Sequence, residues 1–164
     1  MKDYKELLIL RHGKSDWNLD CIDFNRPLSP RGQHDAQTIG KWLKQEQQQP
    51  DLIISSPALR ALTTAEITCL AMDLPVQSIQ TDINIYEASL SDLLQLLTTL
   101  PDSVQRLLLV GHNPGLEQLL SHLVPHIPMP DNYNLMPTAA LAYMQMNKHW
   151  SALQGRYLTH RVND

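Results

Sequence analysis

Two purely apolar runs, Leu7-Leu8-Ile9-Leu10 and Leu107-Leu108-Leu109-Val110, most constrain what this chain can fold into. A strand with one wet face alternates apolar and polar side chains. An unbroken apolar run that stops abruptly at glycine and polar residues therefore reads as a strand buried on both faces. Such strands belong to parallel sheets covered by helices, and those sheets bind ligands at the carboxyl ends of their strands. Each run is followed, one residue later, by a histidine, His12 and His112. The two imidazoles are predicted to converge on one crevice.

The remaining punctuation supports alternating strands and helices. Ser29-Pro30, Ser56-Pro57 and Asn113-Pro114 each place a capping side chain before a proline, which costs nothing at a first helical position. The pattern predicts strands over 5–10, 51–55, 76–80 and 106–111, and helices over 30–47, 57–72, 90–100 and 114–124. Ser89 with Asp92 suggests a capping box on the third helix, whose leucines 93, 94, 96, 97 and 100 form a wide apolar face. Prolines 125, 128, 130 and 137 make 125–137 a surface loop, followed by a strand near 138–146 and an edge strand within 150–160. The fold expected is a three-layer α/β sandwich with a mainly parallel central sheet flanked by helices, formed by one domain over residues 1–164.

Composition limits the partners. With 164 residues the chain can bury a core without metal or disulfide support. A formal net charge of −4 argues against a nucleic-acid binder, since phosphate-backbone affinity rests on clustered Lys and Arg. Cys21 and Cys69 are far apart and have no ligand spacing, which fits reduced thiols rather than a disulfide or zinc site. No stretch approaches the roughly 20 apolar residues of a membrane span, and a cytoplasmic location is expected.

The chemistry lies at the strand ends. Arg11 and His12 leave the first strand together, and Arg60 sits early in the second helix, where backbone N–H groups already favour an anion. Two guanidiniums can hold a tetrahedral oxyanion while a neutral imidazole attacks its centre, as phosphoryl transfer to histidine requires. That chemistry calls for no metal and no cofactor.

The segments LLILRHGKSDWN, RPLSPRG at 26–32, SSPALRALTTA at 55–65, YEAS at 86–89 and LLLVGHNPG at 107–115 resemble the histidine phosphatase superfamily, whose founding members are phosphoglycerate mutases. The short chain with RPLSPRG and YEA is most similar to its small bacterial phosphohistidine phosphatase branch. The resemblance covers about residues 6–120. It implies that His12 is the nucleophile that becomes a phosphohistidine, and that Arg11, Arg60 and His112 bind the phosphoryl oxygens, with His112 stabilising transition-state charge. Asn18 and Ser15 are implied as further phosphate contacts, and Glu87 as general acid and then base. Lys14 departs from the acidic residue or glutamine frequent there in the mutase branch.

Several positions carry a second reading. The Glu87 carboxylate is equally explained by the dipole of the helix that follows, and its role could pass to Asp16 or to water. Arg26 and Arg31 either enlarge the positive mouth or, the preferred reading, belong to a turn feeding a helix. Trp17 is a substrate platform or a core plug. Histidines 34, 122, 126, 149 and 160 lack motif context and read as ordinary side chains. Between Glu87 and Leu107 a helix leaves no room for a long lid, so an open pocket is expected. The function this favours is removal of phosphate from phosphohistidine on a protein. The alternatives are a phosphomonoesterase for sugar or nucleotide phosphates and a non-catalytic phosphate-binding protein.

Overall fold

The computed structural model describes residues 2–153 and 155–161. Six strands form one sheet: β1 (Lys5–Arg11), β2 (Leu52–Ser55), β3 (Ile79–Thr81), β4 (Arg106–Gly111), β5 (Leu141–Met146) and β6 (Gly155–Arg161). Their order is β3-β2-β4-β1-β5-β6. The first four are mutually parallel, while β5 runs antiparallel to β1 and β6 antiparallel to β5. The two apolar runs lie side by side as β1 and β4, with Leu7 opposite Leu107 and Arg11 opposite Gly111. That register brings both histidines to the same end of the sheet.

Four helices cover the faces: α1 (Pro30–Gln45), α2 (Leu59–Ala71), α3 (Leu90–Thr98) and α4 (Gly115–Leu123). Because side chains alternate along a strand, the central runs supply both cores. Leu7, Ile9, Leu107 and Leu109 pack with Leu93 and Leu97 of α3 and with Leu116, Leu119, Leu120 and Leu123 of α4. Leu8, Leu10, Leu108 and Val110 pack with Ile39 and Leu43 of α1 and with Ala61, Ala65 and Cys69 of α2. The α1 and α2 backbones approach closely at Gly40, where a Cβ would lie 2.5 Å from Ala71 Cβ and Thr68 O. The predicted sandwich, with a mostly parallel sheet, is the fold found.

The capping signals divide. Ser29 caps α1 by accepting the Gly32 N–H (3.1 Å), and Ser89 and Asp92 form the reciprocal box on α3. The other two proline signals mislead. Helix α2 starts at Leu59, two residues past Pro57, and its N-cap Ala58 has no side-chain bond. Helix α4 starts at Gly115, with Pro114 itself at the cap. In both cases the polar side chain is engaged elsewhere, Ser56 with His112 and Asn113 with the Met136 carbonyl. Segment 125–137 contains neither helix nor strand, yet Leu135 and Met136 are buried in the core rather than on the surface. The predicted strand 76–80 is a 3₁₀ turn at Val76–Ser78 leading into the short β3.

Among the described residues no helix is long and apolar enough to cross a membrane. Cys21 is exposed and Cys69 buried, both as free thiols.

Candidate active site

The carboxyl ends of β1 and β4 open into two adjoining clefts that share Arg60, His112 and Asn113. One, of about 260 Å³, is lined also by Arg11, His12, Lys14, Ser15, Trp17, Arg26 and Thr138. The other, of about 360 Å³, is lined also by Asp23, Tyr86, Glu87 and the turn into α4. The structure thus brings together six of the seven residues singled out in the sequence. Asn18 is the exception: it is exposed, lines neither cleft, and donates its backbone N–H to Asp16 Oδ1 (2.9 Å).

His12 is buried, and its Nδ1 lies 2.7 Å from the carbonyl oxygen of Gly13. A carbonyl only accepts, so Nδ1 carries the ring proton and Nε2 keeps its lone pair. Burial is the main cause that lowers the His12 pKa to about 3, with His112, Arg60 and Arg11 adding to it against the Gly13 bond. The ring is therefore neutral across the physiological range.

The Gly13 backbone is clamped as well. Its N–H donates to Thr64 Oγ1 (3.0 Å), and that hydroxyl donates to the Arg60 carbonyl (2.7 Å) one turn earlier in α2. A Cβ at Gly13 would sit 2.7 Å from the Gly32 carbonyl oxygen, so the His12 loop presses directly against the first turn of α1.

The His12 and His112 ring centroids are 5.2 Å apart. Ser56 Oγ accepts the Ala58 N–H (3.2 Å) and is hydrogen-bonded to His112 Nε2, 2.8 Å away. The other ring nitrogen of His112, Nδ1, is buried and has no hydrogen-bond partner among the described residues. Burial, followed by the field of Arg60, lowers the His112 pKa to about 4.

The arginines show the same pattern. Arg11 donates from Nη1 to the Met136 carbonyl (3.0 Å). Arg60 donates from Nη1 to the Asp23 carbonyl (2.8 Å) and from Nη2 to Asp23 Oδ2 (3.0 Å). The Nε groups of Arg11, Arg26 and Arg60 are buried without an acceptor among the described residues. With Arg11 and Arg60 fixed by these bonds, the three guanidiniums line a cleft suited to a tetrahedral oxyanion.

Sequence reasoning underweighted Arg26 and missed Asp23. Of the two readings of Arg26, the turn preferred from the sequence and the positive mouth, its position fits the second, since it is buried and lines the cleft. Its Nη1 donates to Ser15 Oγ, its Nη2 donates to Asp23 Oδ1 (2.6 Å), and its guanidinium carbon lies 3.5 Å from the Trp17 ring centroid. Trp17 is no core plug, since it is three-quarters exposed. Asp23 also accepts from the Tyr86 hydroxyl (2.8 Å), and these donors, Arg26 foremost, hold its carboxyl far below the usual carboxylate range. Arg31 points away from this cluster toward Asp35 (3.7 Å). Glu87 is exposed and takes a left-handed backbone (φ 55°), uncommon for a residue with a Cβ.

Histidines 34, 122, 126 and 149 are exposed and line neither cleft, and His149 contacts Asp102 (2.7 Å). The side chain of His160 lies outside the described ones. Among the described residues no group of three or more His, Cys, Asp or Glu is placed to hold a metal ion.

Known proteins share this fold. An uncharacterised protein of Mycobacterium tuberculosis is 28% identical over 151 residues, covering 88% of this chain and 92% of its own. The solved protein histidine phosphatase SixA, complexed with tungstate, superposes with a TM-score of 0.82 at 23% identity, covering 94% of this chain and 95% of its own. A putative phosphohistidine phosphatase SixA from Agrobacterium tumefaciens gives a TM-score of 0.82 at 26% identity, covering 98% and 99%. The model of the histidine phosphatase superfamily (branch 1) matches residues 7–98, more than half of the chain, and the protein belongs to that superfamily.

Proposed function

We propose that the protein is a phosphatase that works through a phosphohistidine on His12 and removes phosphate from phosphohistidine on a protein. The observation that carries this reading is the convergence of three arginines, Arg11, Arg26 and Arg60, and of His112 on one cleft beside the neutral imidazole of His12.

In the first step His12 Nε2 forms a bond to phosphorus as the bond to the leaving nitrogen breaks. Arg11 and Arg60 hold the equatorial oxygens, and His112 meets the charge that develops on them. Preorganised donors of this kind are each worth roughly 10²–10³ in rate. The departing imidazole takes up one proton from solvent, which the attacking water of the second step gives back. In the second step water attacks the phosphorus of phospho-His12, releases inorganic phosphate and returns the lone pair to Nε2. Asn18 is left without a phosphate contact in this scheme, whereas Ser15 orders Arg26.

A protonated imidazole leaves readily, so a P–N substrate asks little of a general acid. The exposed Glu87 would matter more for a P–O ester, and its strained position beside Arg60 and His112 favours small phosphoesters as the second reading. The solved SixA is a complex with tungstate, a tetrahedral oxyanion, which supports the reading of this chain as a protein that handles a tetrahedral oxyanion.

The test compares wild-type and His12→Ala protein, with chelator present, on a phosphohistidine-bearing protein and on an aryl phosphate. Fast His12-dependent loss from the protein, exceeding turnover of the ester, is expected. Turnover confined to the ester would move the assignment to small phosphoesters. Oxyanion binding without turnover of either substrate would leave a binding protein.

A further inference from the structure

The segment between β1 and α1 brings Ser15, Asp23 and Arg26 to the site, and it also has an exposed apolar tip that the chemistry above does not use. It is closed at its base by the Asp16 N–H donating to the Pro27 carbonyl (2.8 Å) and by an antiparallel bridge between Ser15 and Leu28. Within six positions it exposes three large apolar side chains, Trp17 at 75%, Ile22 at 68% and Leu19 at 53%. Trp17 is exposed but not loose. One face of its indole rests on the Arg26 guanidinium, and Arg26 is tied to Ser15 and Asp23. The residue therefore lines the cleft that holds Arg11 and His12 as a pinned platform.

Pinned, exposed aromatics contribute strongly to protein recognition, because little side-chain entropy remains to be lost when a partner covers them. We infer that Trp17, Leu19 and Ile22 form a docking rim for a folded protein substrate, packing against an apolar patch beside the phosphorylated residue while the phosphoryl group sits on Arg11 and Arg60.

This inference rests on the protein-phosphatase reading and adds the surface that selects the substrate. A small phosphoester seated on the arginines fills the cleft, whereas a macromolecule spans both cleft and rim. The carboxylates of Asp16 and Asp20 flank the apolar residues and disfavour a nucleic acid or an anionic lipid surface as the occupant. They suit a protein whose phosphorylated site is bordered by apolar and basic side chains.

The test uses the full chain and the double variant Leu19→Ser/Ile22→Ser, neither residue touching the catalytic groups. Two substrates are compared: 4-nitrophenyl phosphate, and a folded protein phosphorylated with phosphoramidate on a histidine set in an apolar helix face. The variant is expected to lose at least about tenfold in kcat/KM on the phosphoprotein, through KM, while staying within about twofold of wild type on the ester. Trp17→Ala is expected to raise the phosphoprotein KM at least as much. Equal losses on both substrates, or no loss on the phosphoprotein, would overturn the rim. Wild-type turnover of the ester with none of the phosphoprotein would overturn the protein-phosphatase reading itself, and the rim with it.

Discussion

Replacing Gly13 by alanine should disable the enzyme without unfolding it. The added Cβ would lie 2.7 Å from the Gly32 carbonyl oxygen and 3.0 Å from Gly32 Cα, whereas ordinary van der Waals contact begins at 3.4 Å. The obstacle is backbone at the start of α1, which cannot turn aside as a side chain would. The loop must give by about 0.7 Å, and Gly13 carries both the carbonyl that orients His12 and the N–H bonded to Thr64. A misplacement approaching 1 Å costs up to about 10² in rate, so a fall of roughly 10- to 100-fold in kcat is expected. Overpacking of this kind costs about 1–3 kcal/mol, well within what a domain of this size tolerates. Gly111→Ala is the internal control. It adjoins the other histidine of the cleft, His112, but its Cβ meets the Ile85 Cγ2 methyl (2.9 Å), a side-chain atom rather than backbone. Steady-state turnover of an aryl phosphate, paired with urea denaturation, separates the two effects. Wild-type kcat in Gly13→Ala, or equal losses at the two glycines, would refute the reasoning.

Three further outcomes follow from the same geometry. Ser56→Ala removes the hydroxyl that orients His112 and should lower kcat about tenfold, the loss of one hydrogen bond of ~1.4 kcal/mol, with little change in KM; an unchanged kcat would show that the ring is oriented by other contacts. For Asp23→Asn the charge of the cleft and the placement of Arg60 pull in opposite directions, since removing a carboxylate tightens anion binding by field alone. We expect weaker vanadate binding, by several-fold, because Arg60 loses its carboxylate partner and keeps only the main-chain carbonyl of residue 23, and titration calorimetry showing tighter binding would contradict this. Both histidines titrate lower when folded, His12 at about 3 and His112 at about 4, against about 6.5 unfolded, so the unfolded chain binds more protons below that value and stability falls with pH. From pH 7 to pH 5 each costs up to about 2 kcal/mol by this linkage, and urea denaturation of His12→Asn/His112→Asn should show a correspondingly flatter pH dependence.

The parts of the site legible in the sequence are those carried by local signals. An apolar run that ends in Arg11-His12-Gly13 or Gly111-His112 marks a buried strand and the polar group at its tip, so the crevice followed from the pattern. Arg60 followed from its place near a helix start. Asp23 was not legible, because it acts on Arg60, 37 positions away, and Tyr86, 63 positions away, from a segment without periodicity. Arg26 looked like turn chemistry because its partners, Ser15 and Trp17, lie across a loop whose closure no local pattern announces. Ser56 and Asn113 were read as caps since their spacing to proline is right, and only the tertiary bonds to His112 and Met136 show where their side chains go. The Met136 carbonyl that steadies Arg11 was invisible in principle, as any residue supplies a carbonyl.

The most direct test is to trap the intermediate. Protein mixed with excess substrate and quenched in alkali, where phosphohistidine survives, would be digested and mapped by mass spectrometry. The account requires a phosphoryl group on the peptide that contains His12, formed within one turnover, lost as inorganic phosphate appears, and absent in His12→Asn. Phosphate found on another residue, or turnover that continues undiminished in His12→Asn, would contradict it.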